Sequence, residues 1–376
     1  MRSKNISVVR YGENEEYIYM SNKFQWTFFA DCDINDVFFD SLKRDYAEFE
    51  TWFAKKAQMG QKLCIYREKN ELLAMLYLKD ETEELLLRDE KLECCRRLKI
   101  GTLKISDYAK HQRLGEGAIG LSLWYWQRMG LDEVYITVFK KHAFLIKLLC
   151  KFGFAKRGTN ERGEEVYIKS KSKLDYTDPY TAFPYIMPDF KYCGYLPIKD
   201  GYHDTLFPYS ELANTNQETE EIAAANGVTK SFIASPYKKV KYYSGEPVFV
   251  YRIHTGTGKK KYKSVVTSIC TIVRQIVVKE NGICRLSYKE FIATVGNKSY
   301  YSSPQLTELY DREHLVILEM VYNGGFGKGH NVTYNDLNEN GLFEEYPYHI
   351  QLTSYQFKKI LELGGINVRH FIINQT

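Results

Sequence analysis

The apolar positions of this chain recur at two spacings. Short continuous or alternating runs predict strands, and runs spaced by three and four predict helices. Residues 6–10 (ISVVR), 63–66 (LCIY), 72–78 (LLAMLYL), 98–105, 133–139 (EVYITVF) and 165–169 (EVYIK) read as strands. Residues 36–59 read as one helix, with Phe39, Leu42, Tyr46, Phe49 and Phe53 three and four apart and Gly60 as its stop. Glu68-Lys69-Asn70-Glu71 is a candidate hairpin turn between two of the strands. A second helix runs up to Met129 with Ile119, Leu123 and Trp126 on one face, and residues 141–151 form a third. The order of these elements predicts a mixed α/β unit built on an open sheet.

The texture changes after residue 170. Residues 171–195 are rich in Ser, Lys, Asp and Pro, and Pro179, Pro184 and Pro188 exclude a continuous helix or a central strand. They read as a linker laid across the first unit by its aromatics. Residues 196–376 read as a small barrel-like α+β domain. Its strands lie at 247–253, 264–278 and 315–322, and a helix at 354–363 is stopped by Gly364 and Gly365. The expected division is therefore 1–170, a linker at 171–195, and 196–376.

Composition changes this picture little. A length of 376 residues accommodates two domains, and 44% hydrophobic residues supply real cores. A net charge of +5 fixes no partner. The 31 tyrosines suit stacking on bases as well as cores, and codon bias explains them equally well. The eight cysteines form no C-x-x-C and have no His at zinc-ligand spacing, so reduced thiols, no metal and a cytosolic setting are expected. The N-terminus carries no apolar h-region, and no run is long enough for a membrane span.

The stretch at 104–129 carries the chemistry. A strand ending at Ile105 passes through Gln112-Arg113-Leu114-Gly115-Glu116-Gly117-Ala118 into a helix. The first amides of a helix have no internal partners, and its dipole favours an anion there. Glycines at 115 and 117 let an anion approach the backbone. A G-x-G at a helix start is also compatible with tight packing alone. The spacing Gln112-x-x-Gly115-x-Gly117-Ala118 resembles the acetyl-CoA motif of the GNAT superfamily of N-acetyltransferases, and Phe152-Gly153-Phe154 is like that family's closing G-F. The resemblance covers roughly the first 170 residues and implies a GNAT fold, a mixed open sheet with flanking helices. It implies acetyl-CoA as cofactor, with Gln112, Arg113, Gly115, Gly117 and Ala118 around the pyrophosphate and the strand edge at Ile105 along the pantetheine amides. The family's acidic Tyr would fall at Leu149, so that acid is absent. His142 falls where the family has an Asn. It either relays a proton or is a solvated residue at a helix start. Asp107 either orders a water that takes the amine proton or caps a turn.

The second domain supplies the expected acceptor. Lys238, Lys239, Arg252, Lys259, Lys260 and Lys261 are interleaved with Tyr251 and Tyr262, cations for phosphate beside rings for bases. A solvated charge run is the other reading. His203 and Phe326 are secondary candidates, and residues 324–329 read as a flexible loop. The strands joined by a Lys-rich turn resemble the PUA-like group that includes ASCH and EVE domains, which implies RNA, tRNA or rRNA, or an RNA-associated protein as partner. Related two-domain proteins occur in toxin–antitoxin settings, which implies a growth-inhibiting toxin with an antitoxin partner as a variant of this reading. The sequence thus points to an N-acetyltransferase acting on an RNA-linked amine, or to a nucleic-acid-binding regulator that holds acetyl-CoA without turnover.

Overall fold

Lys69 and Asn70 hold φ of 50° and 68°, the two-residue turn whose twist matches that of the flanking strands. Glu68 therefore faces Glu71, and β2 (Lys62–Glu68) pairs antiparallel with β3 (Glu71–Glu81). The computed structural model describes residues 24–109, 112–207, 227–236, 241–299, 301–327, 329–343 and 347–373. The strand expected at 6–10, and Lys238 and Lys239, lie outside the described residues.

The hairpin sits inside a seven-stranded sheet of order β1-β2-β3-β6-β7-β9-β8. Its other strands are β1 (Phe24–Phe28), β6 (Arg97–Ile105), β7 (Glu133–Val138), β8 (Ala155–Thr159) and β9 (Glu165–Ser170). A small separate sheet pairs β4 (Leu85–Leu86) with β5 (Lys91–Leu92). Only β6 and β7 run parallel; the other neighbours in the large sheet are antiparallel.

The helix expected over 36–59 is broken. α1 (Asp40–Asp45) and α2 (Phe49–Gln58) are separate, because Tyr46 turns extended with φ −135° and ψ 101°. That backbone aims the Tyr46 hydroxyl at Glu164, to which it donates at 2.9 Å. β8 was not expected at all. Its sequence, AKRGT, lies on the sheet edge with three of its five residues exposed, so it carries no apolar alternation.

α3 (Leu114–Met129) is buried on every side rather than along one face. Leu114, Ile119, Leu121, Leu123, Trp124 and Trp126 are buried, and so are Ser122 and Gln127. One side packs on β3, β6 and β7. The other meets the C-terminal half: the Trp124 indole N–H donates to the Asn323 carbonyl at 2.9 Å, and its ring meets Phe183 and Tyr322 edge-on. A helix that is apolar all round belongs inside a core, and this one lies in a single apolar cluster shared by both halves.

The aromatics of the segment at 171–195 are packed into the fold. Tyr180, Phe183, Tyr185, Ile186, Phe190 and Cys193 are buried, and Asp178 caps the short α5 (Pro179–Ala182) by accepting the Tyr180 N–H at 2.8 Å. The prolines exclude a continuous helix or a central strand here but not burial, and the rings fill the seam between the halves.

The second sheet runs β10-β12-β13-β15-β11: β10 (Gly194–Lys199), β11 (Thr229–Ala234), β12 (Pro247–Ile253), β13 (Val265–Glu280) and β15 (Leu315–Gly325). The short β14 (Ile283–Cys284) and β16 (Val332–Thr333) also pair with β13. Among the described strands, β10 and β11 do not pair with each other, so the expected barrel is open. The residues expected as a flexible glycine loop start as strand, since Gly324 and Gly325 end β15 and Phe326 is buried. The closing helix, Ser354–Leu363, is present, capped by Thr353, with Phe357, Ile360 and Leu361 in a second core. No helix among the described residues is long and apolar enough to cross a membrane.

Lys169 on β9 is 2% exposed and donates to the carbonyls of Phe152 at 2.7 Å and Thr181 at 2.6 Å, tying α4 (Ala143–Lys151) to the buried segment. Burial pushes its pKa down to about 7, whereas an unfolded lysine titrates near ~10.4. Between those values the unfolded chain binds more protons, so the Lys169 contribution to stability rises with pH and is lost again as pH falls towards 7. Urea unfolding from about pH 7 to about pH 10 should show wild type gaining on Lys169→Met by up to about 1.4 kcal/mol per pH unit. Parallel curves would mean that Lys169 keeps an ordinary pKa.

Candidate active site

β6 and β7 part company halfway along. Their parallel register runs from Arg97 and Glu133 to Ile100 and Ile136 and stops there. Beyond it Thr137 and Val138 pair with β9, while residues 101–105 keep only β3 as a neighbour among the described strands. The gap opens into a cleft of about 2080 Å³. Its walls include residues 99–108 of β6 and beyond, Ile136, Thr137 and Val138 of β7, Gly115 at the start of α3, and His142, Phe144, Leu145 and Leu148 of α4. The other arm of the cleft runs along α1, α2 and β3 to Asn160, Arg162 and Glu164.

α3 begins at the open end of this gap. Arg113 holds a left-handed backbone, φ 61°, and the first intrahelical bond is Gly117 N–H to the Arg113 carbonyl at 3.0 Å. By helix geometry the amides of Leu114, Gly115 and Glu116 precede that bond. Gly115 faces the cleft, and a Cβ there would meet nothing nearer than Leu148 at 3.5 Å and Ile105 at 3.8 Å.

Not every residue of the expected cofactor set faces the cleft. Ile105 and Gly115 line it. Gln112 is exposed and donates to Glu68 at 3.2 Å. Gly117 and Ala118 are buried, and the Gly117 amide is taken by the helix, so neither can present an N–H to an anion. The Arg113 guanidinium turns the other way, to Glu116 at 2.6 Å. Gly227, at φ +68°, is fitted to that guanidinium, since a Cβ there would lie 2.7 Å from it. Glu116 also accepts the Thr229 N–H at 2.7 Å. Burial works to raise the Glu116 pKa, but Arg113, Lys151 and the Thr229 donors outweigh it and hold the carboxyl below its usual range. The start of α3 is thus bonded to β11 in the second half.

Proton chemistry is concentrated on the α4 side. His142 lines the cleft at the N-cap of α4, with Nε2 3.9 Å from Asp45 Oδ2. Partial burial, then the neighbouring Lys141, push its pKa below the usual value, and Asp45 opposes them. The imidazole is therefore neutral near pH 7. Asp107 is an exposed cleft residue opening a short 3-10 turn. Leu149 is buried in the core. Sequence reasoning missed two residues of the other arm. Tyr46 looked like a helix-face apolar residue, and Glu164 sat in a polar turn without any motif. Glu164 is 5% exposed, and its carboxylate accepts from the Tyr46 hydroxyl and from Asn160 Nδ2, both at 2.9 Å.

The described residues among those expected to bind nucleic acid do not form one surface. Tyr251 is 4% exposed and packs on Phe343 at 4.8 Å in the second core, so it offers no face to a base. Arg252 is committed to a two-pronged bond with Asp204, 2.7 Å on each side. His203 is fully buried between Asp204 at 2.8 Å and Thr267 at 2.9 Å. Lys259, Lys260, Lys261 and Tyr262 do stand exposed on one turn, with the Lys261 ammonium 4.6 Å from the Tyr262 ring centre. All the lining residues of the cleft fall between residues 36 and 164, so none of these contributes to it. No group of three metal-ligating side chains occurs among the described residues.

No family model matches this chain, and no curated protein matches it in sequence. Solved structures resemble part of it. Ard1 from Thermoplasma volcanium is 8% identical, covering 40% of this chain and 95% of its own, at a TM-score of 0.31. Arabidopsis thaliana Naa50, solved with the bisubstrate analogue CoA-Ac-MVNAL, is 18% identical over 39% of this chain and 99% of its own, at 0.27. The AtaT toxin, solved with acetyl-CoA and the C-terminus of the antitoxin AtaR, is 14% identical over 40% of this chain and 94% of its own, at 0.29.

Proposed function

We propose that the chain is an acetyl-CoA-dependent N-acetyltransferase. The observation that carries this reading is the parting of parallel β6 and β7 after Ile100 and Ile136, with the start of α3 at the open end. An extended amide-bearing arm adds to a strand edge as another strand would, and residues 101–105 of β6 offer such an edge. A pyrophosphate suits the first amides of α3, at Leu114, Gly115 and Glu116. The cleft volume of about 2080 Å³ also leaves room for an acceptor beside a cofactor of this size. The residues present therefore fit the group.

Bound acetyl-CoA would supply an acyl group already activated as a thioester. The protein must align an amine, take its proton and keep the reactants together. The neutral His142 ring has a basic nitrogen that can take that proton. An incoming ammonium gives one proton to His142 or through it to solvent. The freed nitrogen forms the C–N bond as the C–S bond breaks, and its second proton goes to the departing sulfur. An RNA-borne amine is the finer form of this reading. It is supported by the exposed turn at Lys259, Lys260, Lys261 and Tyr262, and no longer by Tyr251 or Arg252.

Titration calorimetry of the full chain with CoA tests the proposal. Gly115→Val should fold, because space for a Cβ exists, but its side chain would cover the first amides of α3. CoA affinity should fall more than tenfold, over ~1.4 kcal/mol. Equal affinity in a folded Gly115→Val protein, or no CoA binding by wild type, would overturn the reading.

A further inference from the structure

The acceptor arm of the cleft holds a carboxylate with no cationic partner among the described residues. Three carboxylates, Asp45, Glu48 and Glu164, line this arm. Asp45 is paired with Lys141 at 2.6 Å, and Glu48 with Arg162 at 2.7 Å. Glu164 is the most buried of the three, and among the described residues it has no cationic partner. Its bonds come from neutral groups, the Tyr46 hydroxyl and the Asn160 amide, and its own N–H donates to Asn160 Oδ1 at 3.0 Å. The Tyr46 hydroxyl is a secure donor, because burial and then the bond to Glu164 push its pKa well up. A buried carboxylate is costly unless a cation completes it, yet this one is held firmly in place and lines an open cleft.

Its position suits an acceptor. The β7–β9 register sets Val138 opposite Glu165, so Glu164 lies beside the end of β7 where the gap from β6 has opened. The Tyr46 ring packs on Phe139 at 5.6 Å. Leu42, Tyr46, Trp52, Leu72 and Val138 give this arm apolar walls.

We propose that Glu164, fixed by Tyr46 and Asn160, binds the protonated primary amine of the acceptor, and that the acceptor is an ammonium on an apolar stem. The proposal rests on the acetyltransferase reading for its function. Glu164 is a positioning residue here: it attracts the ammonium and holds the nitrogen in the cleft, while the proton leaves through His142.

Ligand-observed NMR with the full chain provides the test, using 2-phenylethylamine and its neutral counterpart 2-phenylethanol as probes. Wild type should bind the amine at least tenfold more tightly than the alcohol. Glu164→Gln, which keeps the shape and both hydrogen-bonding neighbours, should lose that preference and leave CoA affinity unchanged. In turnover assays it should raise KM for amines far more than it lowers kcat. Tyr46→Phe, which keeps the ring and the carboxylate, should retain the preference. Equal binding of amine and alcohol by wild type overturns the proposal whether or not the variant folds, as does a preference that survives in Glu164→Gln. Absence of CoA binding would instead sink the acetyltransferase reading, so the two failures are read separately.

Discussion

In His142→Ala, acetyl transfer should slow by about 10²–10⁴-fold in kcat with CoA affinity unchanged. The ring lines the cleft on α4, and burial and Lys141 keep it neutral where a base is needed. Leu149, buried in the core, offers no acid in its place. The pH profile carries the same information. A base works only when deprotonated, so the rate should fall as pH drops through the His142 pKa, which lies below the ordinary histidine value. That acid limb should vanish in the variant. Asp107→Asn, measured alongside, asks whether the exposed carboxylate contributes. Full kcat in both variants would leave alignment alone to carry the rate. A wild type that binds CoA but releases none with any amine would mark a sensor instead of an enzyme.

Gly120→Leu should cost about 3 kcal/mol of stability, the upper end of overpacking costs. Gly120 lies on the face of α3 turned to the second half, where a Cβ would sit 2.3 Å from Val228 Cγ1. No side chain can enter without moving Val228, which is itself fully buried. Helix propensity alone would favour replacing this glycine by about 1 kcal/mol, so the sign of Gly120→Ala decides which effect wins. We expect destabilisation of about 1–3 kcal/mol, partly recovered by Val228→Ala in the same chain. Urea melts of the four proteins give the coupling directly. A neutral Gly120→Leu would mean that the two halves do not meet along α3.

Strands β2, β3, β6, β7 and β9 of the first sheet were legible because they are apolar runs and the β2–β3 hairpin carries Asn70 where φ must be positive, whereas β1 was not expected. The break at Tyr46 was not legible, because the ring fits a helical stripe and the hydroxyl is bonded to a residue 118 positions away, which no local pattern reports. β8 escaped because edge strands need no apolar face. β11 escaped for the opposite reason. TKSFIA is buried throughout, but its burial includes Thr229, Lys230 and Ser231, which no hydrophobic pattern reports. At the site, the motif at 112–118 located the right turn but not the direction of each side chain. Arg113 reads as a phosphate ligand until Glu116 and Gly227 are seen to claim it. Tyr251 reads as a stacking ring until it is seen inside the second core.

The buried α3 also bears on how such a chain can change over generations. Two sheets that each closed on their own core could be exchanged, lost or joined to new partners by recombination near residue 190. Here a break at that point would strip Trp124 of Tyr322 and the Asn323 carbonyl, and would free Arg113 and Glu116 from β11. The two halves would then have to change together, since a substitution on β11 or β15 bears on a turn that belongs to the other sheet.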